Sequence, residues 1–145
     1  ETDLEIIKED LREASLAHGA FFCEYEVFKH IYRLQARAAV RTGQSVFLLL
    51  LTVSDMEGQI PAVNLLNNSM DRLHDCLLHS LRRNDVVSRF SATQFVVMLS
   101  SLSFENGLMV QDRILGRFKR ENPRMAVQIH PKLLPMDPIC ILDPF

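Results

Sequence analysis

The apolar positions change their spacing along the chain, and each spacing predicts an element. From Asp3 to about Ala17, Leu4, Ile7, Leu11 and Ala14 recur three and four residues apart among acidic residues, the period of an amphipathic helix or a short coiled-coil entry. His18-Gly19 breaks that period. A second helix is predicted from about Glu24 to Arg41, with Val27, Phe28, Ile31, Leu34, Ala38 and Ala39 on its inner face and Gly43 at the usual C-terminal stop. The run VFLLLLTV at 46–53 is almost unbroken apolar sequence and predicts a strand covered on both faces at the centre of a sheet. After the loop SDMEGQIP, Leu66, Met70, Leu73, Leu77 and Leu81 mark a third helix from about Ala62 to Arg83.

Two short strands follow, Val86 to Phe90 and Gln94 to Ser100, joined by the polar break Ser91-Ala92-Thr93 in the manner of a tight hairpin. A fourth helix is predicted from about Phe104 to Glu121 and a last strand from Met125 to Ile129. Pro131, Pro135, Pro138 and Pro144 make residues 131–145 an extended, non-helical tail. The order α, α, β, α, β-hairpin, α, β suggests one mixed, mainly antiparallel sheet with helices packed on it, an α+β domain over about 18–130 preceded by a connector helix over 1–17.

Composition narrows the classes. At 145 residues the chain fits one domain, and 48% hydrophobic with 23% charged residues suits a soluble globular protein. A net charge of −2 provides no overall attraction to nucleic acid or anionic lipid. Direct nucleic-acid binding is therefore not expected. The longest apolar run falls well short of the roughly 20 residues that span a bilayer, and no cationic-then-apolar leader opens the chain, so no membrane association and a cytoplasmic address are expected. Cys23, Cys76 and Cys140 are odd in number and lack a CxxC pair, which argues against a disulfide framework or a zinc site and for reduced, buried thiols. The opening Glu1-Thr2-Asp3, without an initiator methionine, suggests excision from a longer protein.

Candidate chemistry is sparse. His74 and His79 are five residues apart and do not share a helix face, while His18, His30 and His130 stand alone in sequence. No metal site and no cofactor pocket is expected. Ser91 and Thr93 have no histidine nearby in sequence and no nucleophile elbow around them. Arg33, Arg37 and Arg41 fall at i, i+4 and i+8 and form a basic stripe, read either as a contact surface or as a solvated face partly paired with acids of the first helix. Arg113, Arg117, Lys119, Arg120 and Arg124 form a second basic cluster with the same two readings.

The central strand, the following helix and then Asp85-Val86-Val87-Ser88-Arg89-Phe90, a tight turn and Phe95-Val96-Val97-Met98-Leu99 resemble the GGDEF domain, the diguanylate cyclase fold of bacterial signalling proteins. The helix entry HGAFFCEYEVFKHI sits where that family begins its first domain helix, and the resemblance covers roughly residues 18–130. It implies a nucleotide-cyclase or ferredoxin-like architecture, here with the proline-rich tail in place of the final helix. Family members join two GTP molecules into cyclic di-GMP with divalent metals, held by an aspartate ending the central strand and an acid in the turn. By the resemblance those positions are Thr52 and Thr93, the neighbouring acid is Gln94, and the two phosphate-approaching glycines are Ser91 and Ala92. Hydroxyls are poor substitutes for carboxylates toward magnesium. Asp55 is one carboxylate near the strand end and would not rebuild the site alone.

The family's inhibitory Arg-x-x-Asp, which grips cyclic di-GMP six residues before the turn motif, corresponds to Arg82-Arg83-Asn84-Asp85. The residue types suit a guanine edge and a phosphate. They equally suit a cation in the last turn of a helix and a short polar residue opening a strand. The resemblance therefore implies a degenerate, catalytically silent domain that relays signals in a larger bacterial regulator, such as a transcriptional activator. Expected partners are other domains of the same protein, a second copy in a homodimer and, in the alternative reading, cyclic di-GMP or GTP bound without turnover.

Overall fold

The computed structural model describes residues 2–12, 19–100 and 103–136. Within them the order is α1 (Asp3–Leu11), β1 (Phe21–Cys23), α2 (Tyr25–Thr42), β2 (Val46–Asp55), α3 (Val63–Ser80), β3 (Val86–Ser91), β4 (Gln94–Ser100), α4 (Phe104–Glu121) and β5 (Val127–Pro135). The strands form one sheet in the order β1-β3-β4-β2-β5, parallel between β1 and β3 and antiparallel elsewhere. The α+β mixed sheet expected from the sequence is present.

Strand β2 is interior, in register with β4 from Val46↔Ser100 to Thr52↔Gln94 and with β5 from Phe47↔Pro135 to Asp55↔Val127. The two-residue period of a strand divides its apolar run between the faces of the sheet. Phe47, Leu49, Leu51 and Val53 join Met70, Leu73 and Leu77 of α3 and Ile114 and Phe118 of α4 in the main core. Leu49, Leu51, Leu73, Leu77 and Ile114 are fully buried, and burial of each such side chain is worth about 1.5–3 kcal/mol. On the opposite face Phe28 of α2 closes a smaller cluster with Val46, Val86 and Met98. That cover is incomplete. Leu48 and Leu50 are only half-buried, so the expectation that β2 is covered on both faces holds for one face and half of the other.

Several boundaries moved for identifiable reasons. α3 stops at Ser80, short of Arg83, because Leu81 turns extended and the backbone N–H of Arg82 is taken by the Asp85 carboxylate at 2.8 Å. β1 was not predicted. Its three residues are too few to show a period, and they add to the sheet edge through Phe21↔Val86 to Cys23↔Ser88. Gly19, at φ 74°, leads into it in a left-handed conformation, and a Cβ there would collide with the Leu78 carbonyl of α3.

The last strand begins at Val127 and runs past the expected Ile129 to Pro135. Met136 donates its N–H to the Val46 carbonyl at 2.7 Å, so even-numbered residues of this segment face β2. By the same alternation Pro131 and Pro135 turn their nitrogens to the unpaired side of an edge strand, where a missing donor costs nothing.

α2 ends as predicted at Gly43, with φ 69° and an N–H bonded to the Ala39 carbonyl. α1 opens on a reciprocal capping box between Thr2 and Glu5 and buries no residue. The predicted continuation of α1 through Ala17, His18, and the tail beyond Met136 with Pro138, Cys140 and Pro144 lie outside the described residues.

Candidate functional site

Strands β2 and β4 place Thr52 directly opposite Gln94, and the β3–β4 turn brings Ser91, Ala92 and Thr93 beside them. The side chains satisfy one another. Gln94 donates through Nε2 to Thr52 Oγ1 at 3.1 Å and accepts through Oε1 from Ser91 Oγ at 2.8 Å. The Ser91 hydroxyl also accepts the Thr93 N–H at 3.3 Å and lies 3.5 Å from Thr93 Oγ1. Both ends of the Gln94 amide are thus occupied, and the group is neutral. The turn carbonyls of Ser91 and Ala92 accept from the Arg89 guanidinium at 3.3 and 3.0 Å, and the Thr93 carbonyl accepts the Val53 N–H at 2.8 Å.

Asp55 is committed elsewhere. Its Oδ1 accepts the N–H groups of Glu57 and Gln59, each at 2.9 Å, closing the loop around Gly58. Among the described residues no group of three or more His, Cys, Asp and Glu side chains is arranged to hold a metal ion.

The β2–β5 register adds a pair that sequence spacing did not reveal. It sets His130 opposite Thr52, and His130 Nε2 lies 2.7 Å from the Ser54 hydroxyl, which also donates to the Asp55 carbonyl at 2.9 Å. Ser54 is buried and already bonded on both sides, so the pair does not present a free nucleophile. Only the register of two strands could have signalled this contact.

Arg82 and Asp85 come together, but with each other. The Arg82 N–H and guanidinium both approach the Asp85 carboxylate, at 2.8 Å to Oδ2 and 3.6 Å from Nη2 to Oδ1, and Nη2 also donates to the Ser100 carbonyl at 2.7 Å. Asp85 is 1% exposed and its Oδ1 has no hydrogen-bond partner. The Arg82 side chain is half exposed. The carboxylate thereby clasps the α3–β3 corner, while its own carbonyl receives the Phe21 N–H of β1 at 2.8 Å.

Part of the second basic cluster caps α3. Arg113 donates to the Ser80 carbonyl at 2.7 Å and Arg117 to the His79 carbonyl at 3.1 Å, where cations offset the C-terminal end of the helix dipole. His79 Nδ1 lies 2.7 Å from the Asp75 carbonyl, and His74 packs against Phe22 with ring centroids 4.0 Å apart. Arg33, Arg37 and Arg41 are exposed, and among the described residues none forms an ion pair with the acids of α1. Burial pushes the Cys76 thiol above its ordinary range, and Cys23 likewise. Arg33 and Arg37 edge a groove of about 840 Å³ between α2 and the half-covered face of β2 and β5.

No family model matches the sequence, and no curated protein is significantly similar to it. Solved structures are similar. A diguanylate cyclase from Thermotoga maritima aligns over 80% of this chain and 81% of its own, at a TM-score of 0.61 and 14% identity. The GGDEF domain of DgcB from Caulobacter crescentus, solved with c-di-GMP, aligns over 88% of this chain and 81% of its own, with a TM-score of 0.65 and 10% identity. The GGDEF domain of PA1120 from Pseudomonas aeruginosa covers 78% of this chain and 75% of its own at a TM-score of 0.61 and 17% identity. With α2 on one face and α3 and α4 on the other face of a five-stranded sheet in this order, the domain is GGDEF-like in fold.

Proposed function

We propose that this domain does not consume GTP and serves as a regulatory interaction module that relays signals within a longer bacterial regulator. The observation that carries the reading is the closed neutral network of Thr52, Gln94, Ser91 and Thr93 at the strand end and turn. Magnesium dehydrates reluctantly and needs anionic oxygens with near-octahedral placement. Here two hydroxyls stand at the implied ligand positions, and the adjoining amide is bonded at both ends. A triphosphate's charge would meet no metal to neutralise it, and the turn carbonyls are held by Arg89.

Function on this reading lies in surfaces, with other domains of the same protein as partners and the cytoplasm as the setting. No helix of the described residues is long and apolar enough to cross a membrane. The alternative, a cyclic di-GMP sensor using Arg82 and Asp85, would first have to draw Asp85 out of its buried clasp. Isothermal titration with GTP plus magnesium, and separately with cyclic di-GMP, tests the reading. We expect no saturable heat from either; metal-dependent micromolar binding of GTP would overturn the proposal, and binding of the dinucleotide lost in Arg82→Ala would replace it with the sensor.

A further inference from the structure

The sheet face opposite α3 and α4 is open beside α2. The groove of about 840 Å³ there has Leu48, Leu50 and Leu134 on its floor and reaches Tyr25 and Phe90 at the end nearer β1. Leu134 is 49% exposed. The rim is of one sign: Arg33 and Arg37 on α2 and Lys132 on β5, none of them in an ion pair among the described residues. Apolar surface of this extent favours a cover, and a cationic rim selects one that is both apolar and acidic.

A segment of that character leaves β5 beside the groove. Leu48 pairs with Leu134 and Leu50 with Lys132, so the even-numbered residues of β5 face α2, and Met136 packs against the Phe28 cluster on that side. Pro135 and Met136 also line a small cleft with Ala39 and Gly43 at the C-terminal end of α2. Residues 137–145, which lie outside the described residues, read DPICILDPF. Ile139, Ile141, Leu142 and Phe145 are apolar, Asp137 and Asp143 are acids, and the segment has no lysine or arginine. Asp137-Pro138 suits the first two positions of a type I turn, which would return the chain along the face that Met136 occupies.

The length matches. From Ile139 to Phe145 the chain reaches about 20 Å, and the α2 wall of the groove from Tyr25 to Arg37 is about 18 Å long. The exposed stripe of α1, Leu4, Ile7 and Leu11, is the competing occupant. Lys8 stands among the acids of α1, against a rim of its own sign, and residues 12–20 separate α1 from β1. Residues 137–145 follow β5 directly, so their local concentration at the groove is the higher of the two. We infer that residues 137–145 fold back over the sheet and cover the groove of their own chain, with Ile139 and Ile141 on Leu48, Leu50 and Leu134, Phe145 toward Tyr25 and Phe90, and Asp143 at the Arg33 and Arg37 rim. This seating goes beyond the interaction-module reading and holds whether or not the domain consumes GTP.

Nuclear Overhauser spectroscopy of the full chain, labelled at its isoleucine and leucine methyls, tests it directly. Cross-peaks are expected from Ile139 and Ile141 to Leu48, Leu50 and Leu134. Ile139→Asp/Ile141→Asp is expected to abolish them and to shift the groove methyls, while those of Leu73, Leu77 and Ile114 in the main core stay in place and verify the fold. Arg33→Glu/Arg37→Glu should weaken the cross-peaks about threefold or more, the worth of exposed ion pairs, and Asp137→Arg/Asp143→Arg added to the same chain should restore them. Cross-peaks from Leu4, Ile7 or Leu11 to the groove in place of the tail would overturn the proposal in favour of α1. Cross-peaks found only between differently labelled copies would overturn it in favour of exchange between chains, and a groove with no tail contact would overturn it outright. Undiminished cross-peaks in Arg33→Glu/Arg37→Glu would contradict the charge match. GTP turnover on the same samples is read separately, so failure of the tail contact is distinguishable from failure of the interaction-module reading.

Discussion

Replacement of Asp85 by alanine tests whether the Arg82–Asp85 pair is a clasp of the fold. The Asp85 carboxylate is 1% exposed and accepts the Arg82 N–H at 2.8 Å. A hydrogen bond to a charged group contributes about 1.5–3 kcal/mol, and its loss leaves the Arg82 N–H without this acceptor. The ion-pair share is small, because the Arg82 side chain is half exposed and its contact with Oδ1 is long at 3.6 Å. The expected loss for Asp85→Ala is therefore about 2–3 kcal/mol, with Asp85→Asn, which keeps an acceptor, costing about 1 kcal/mol. For a domain of this size each kcal/mol moves Tm by about 2–4 °C, so calorimetry should show Asp85→Ala melting about 5–10 °C below the wild type. If the aspartate instead projects outward as a ligand arm, its removal relieves a charge without a structural bond. An Asp85→Ala melt within about 1 °C of the wild type would refute the clasp.

Gly19→Ala forces a Cβ into the Leu78 carbonyl from a left-handed backbone, and we expect a loss of more than about 2 kcal/mol in a urea titration; a neutral result would show that β1 does not enter the sheet as described. Ile114→Ala, at a fully buried position between α4 and the sheet, should cost about 2–5 kcal/mol in the same assay, whereas a loss below about 1 kcal/mol would contradict the packing of α4. The raised pKa of Cys76 leaves little thiolate at neutral pH, so alkylation followed peptide by peptide should leave Cys76 unmodified in the native protein and label it on denaturation. Because the shift is upward, labelling should rise only as pH approaches the thiol's elevated range; prompt labelling at pH 7 would contradict it.

The elements legible in the sequence are those long enough to repeat a period. α2, α3, α4 and the hairpin emerged within a few residues of their observed ends, because each has several apolar positions at helical or strand spacing. β1 has three residues, paired on one side only, and its hydrophobic content is indistinguishable from that of a loop anchored to the core. The prolines concealed the second half of β5, from His130 to Pro135, since the sequence does not state which edge of a strand faces solvent. Equally, the identical leucines of β2 do not distinguish the face closed by α3 and α4 from the face that α2 half covers.

For the site, Thr52, Ser91, Thr93 and Gln94 were legible as a set through the resemblance, but not their mutual bonding, which requires the cross-strand register. The Arg82–Asp85 spacing was legible; the inward turn of the carboxylate was not, because it depends on β1 and α3 closing over it. Ser54 and His130 are 76 residues apart and meet only through β2 and β5.

The central claim, that hydroxyl and amide side chains have displaced metal-based chemistry at Thr52, Thr93 and Gln94, is tested most directly by turnover. The chain at 10 µM is incubated with GTP and magnesium or manganese, and nucleotides are resolved by chromatography over several hours. The account predicts that GTP is recovered unchanged with no cyclic dinucleotide formed under either metal. Metal-dependent formation of cyclic di-GMP by the wild-type chain would contradict it.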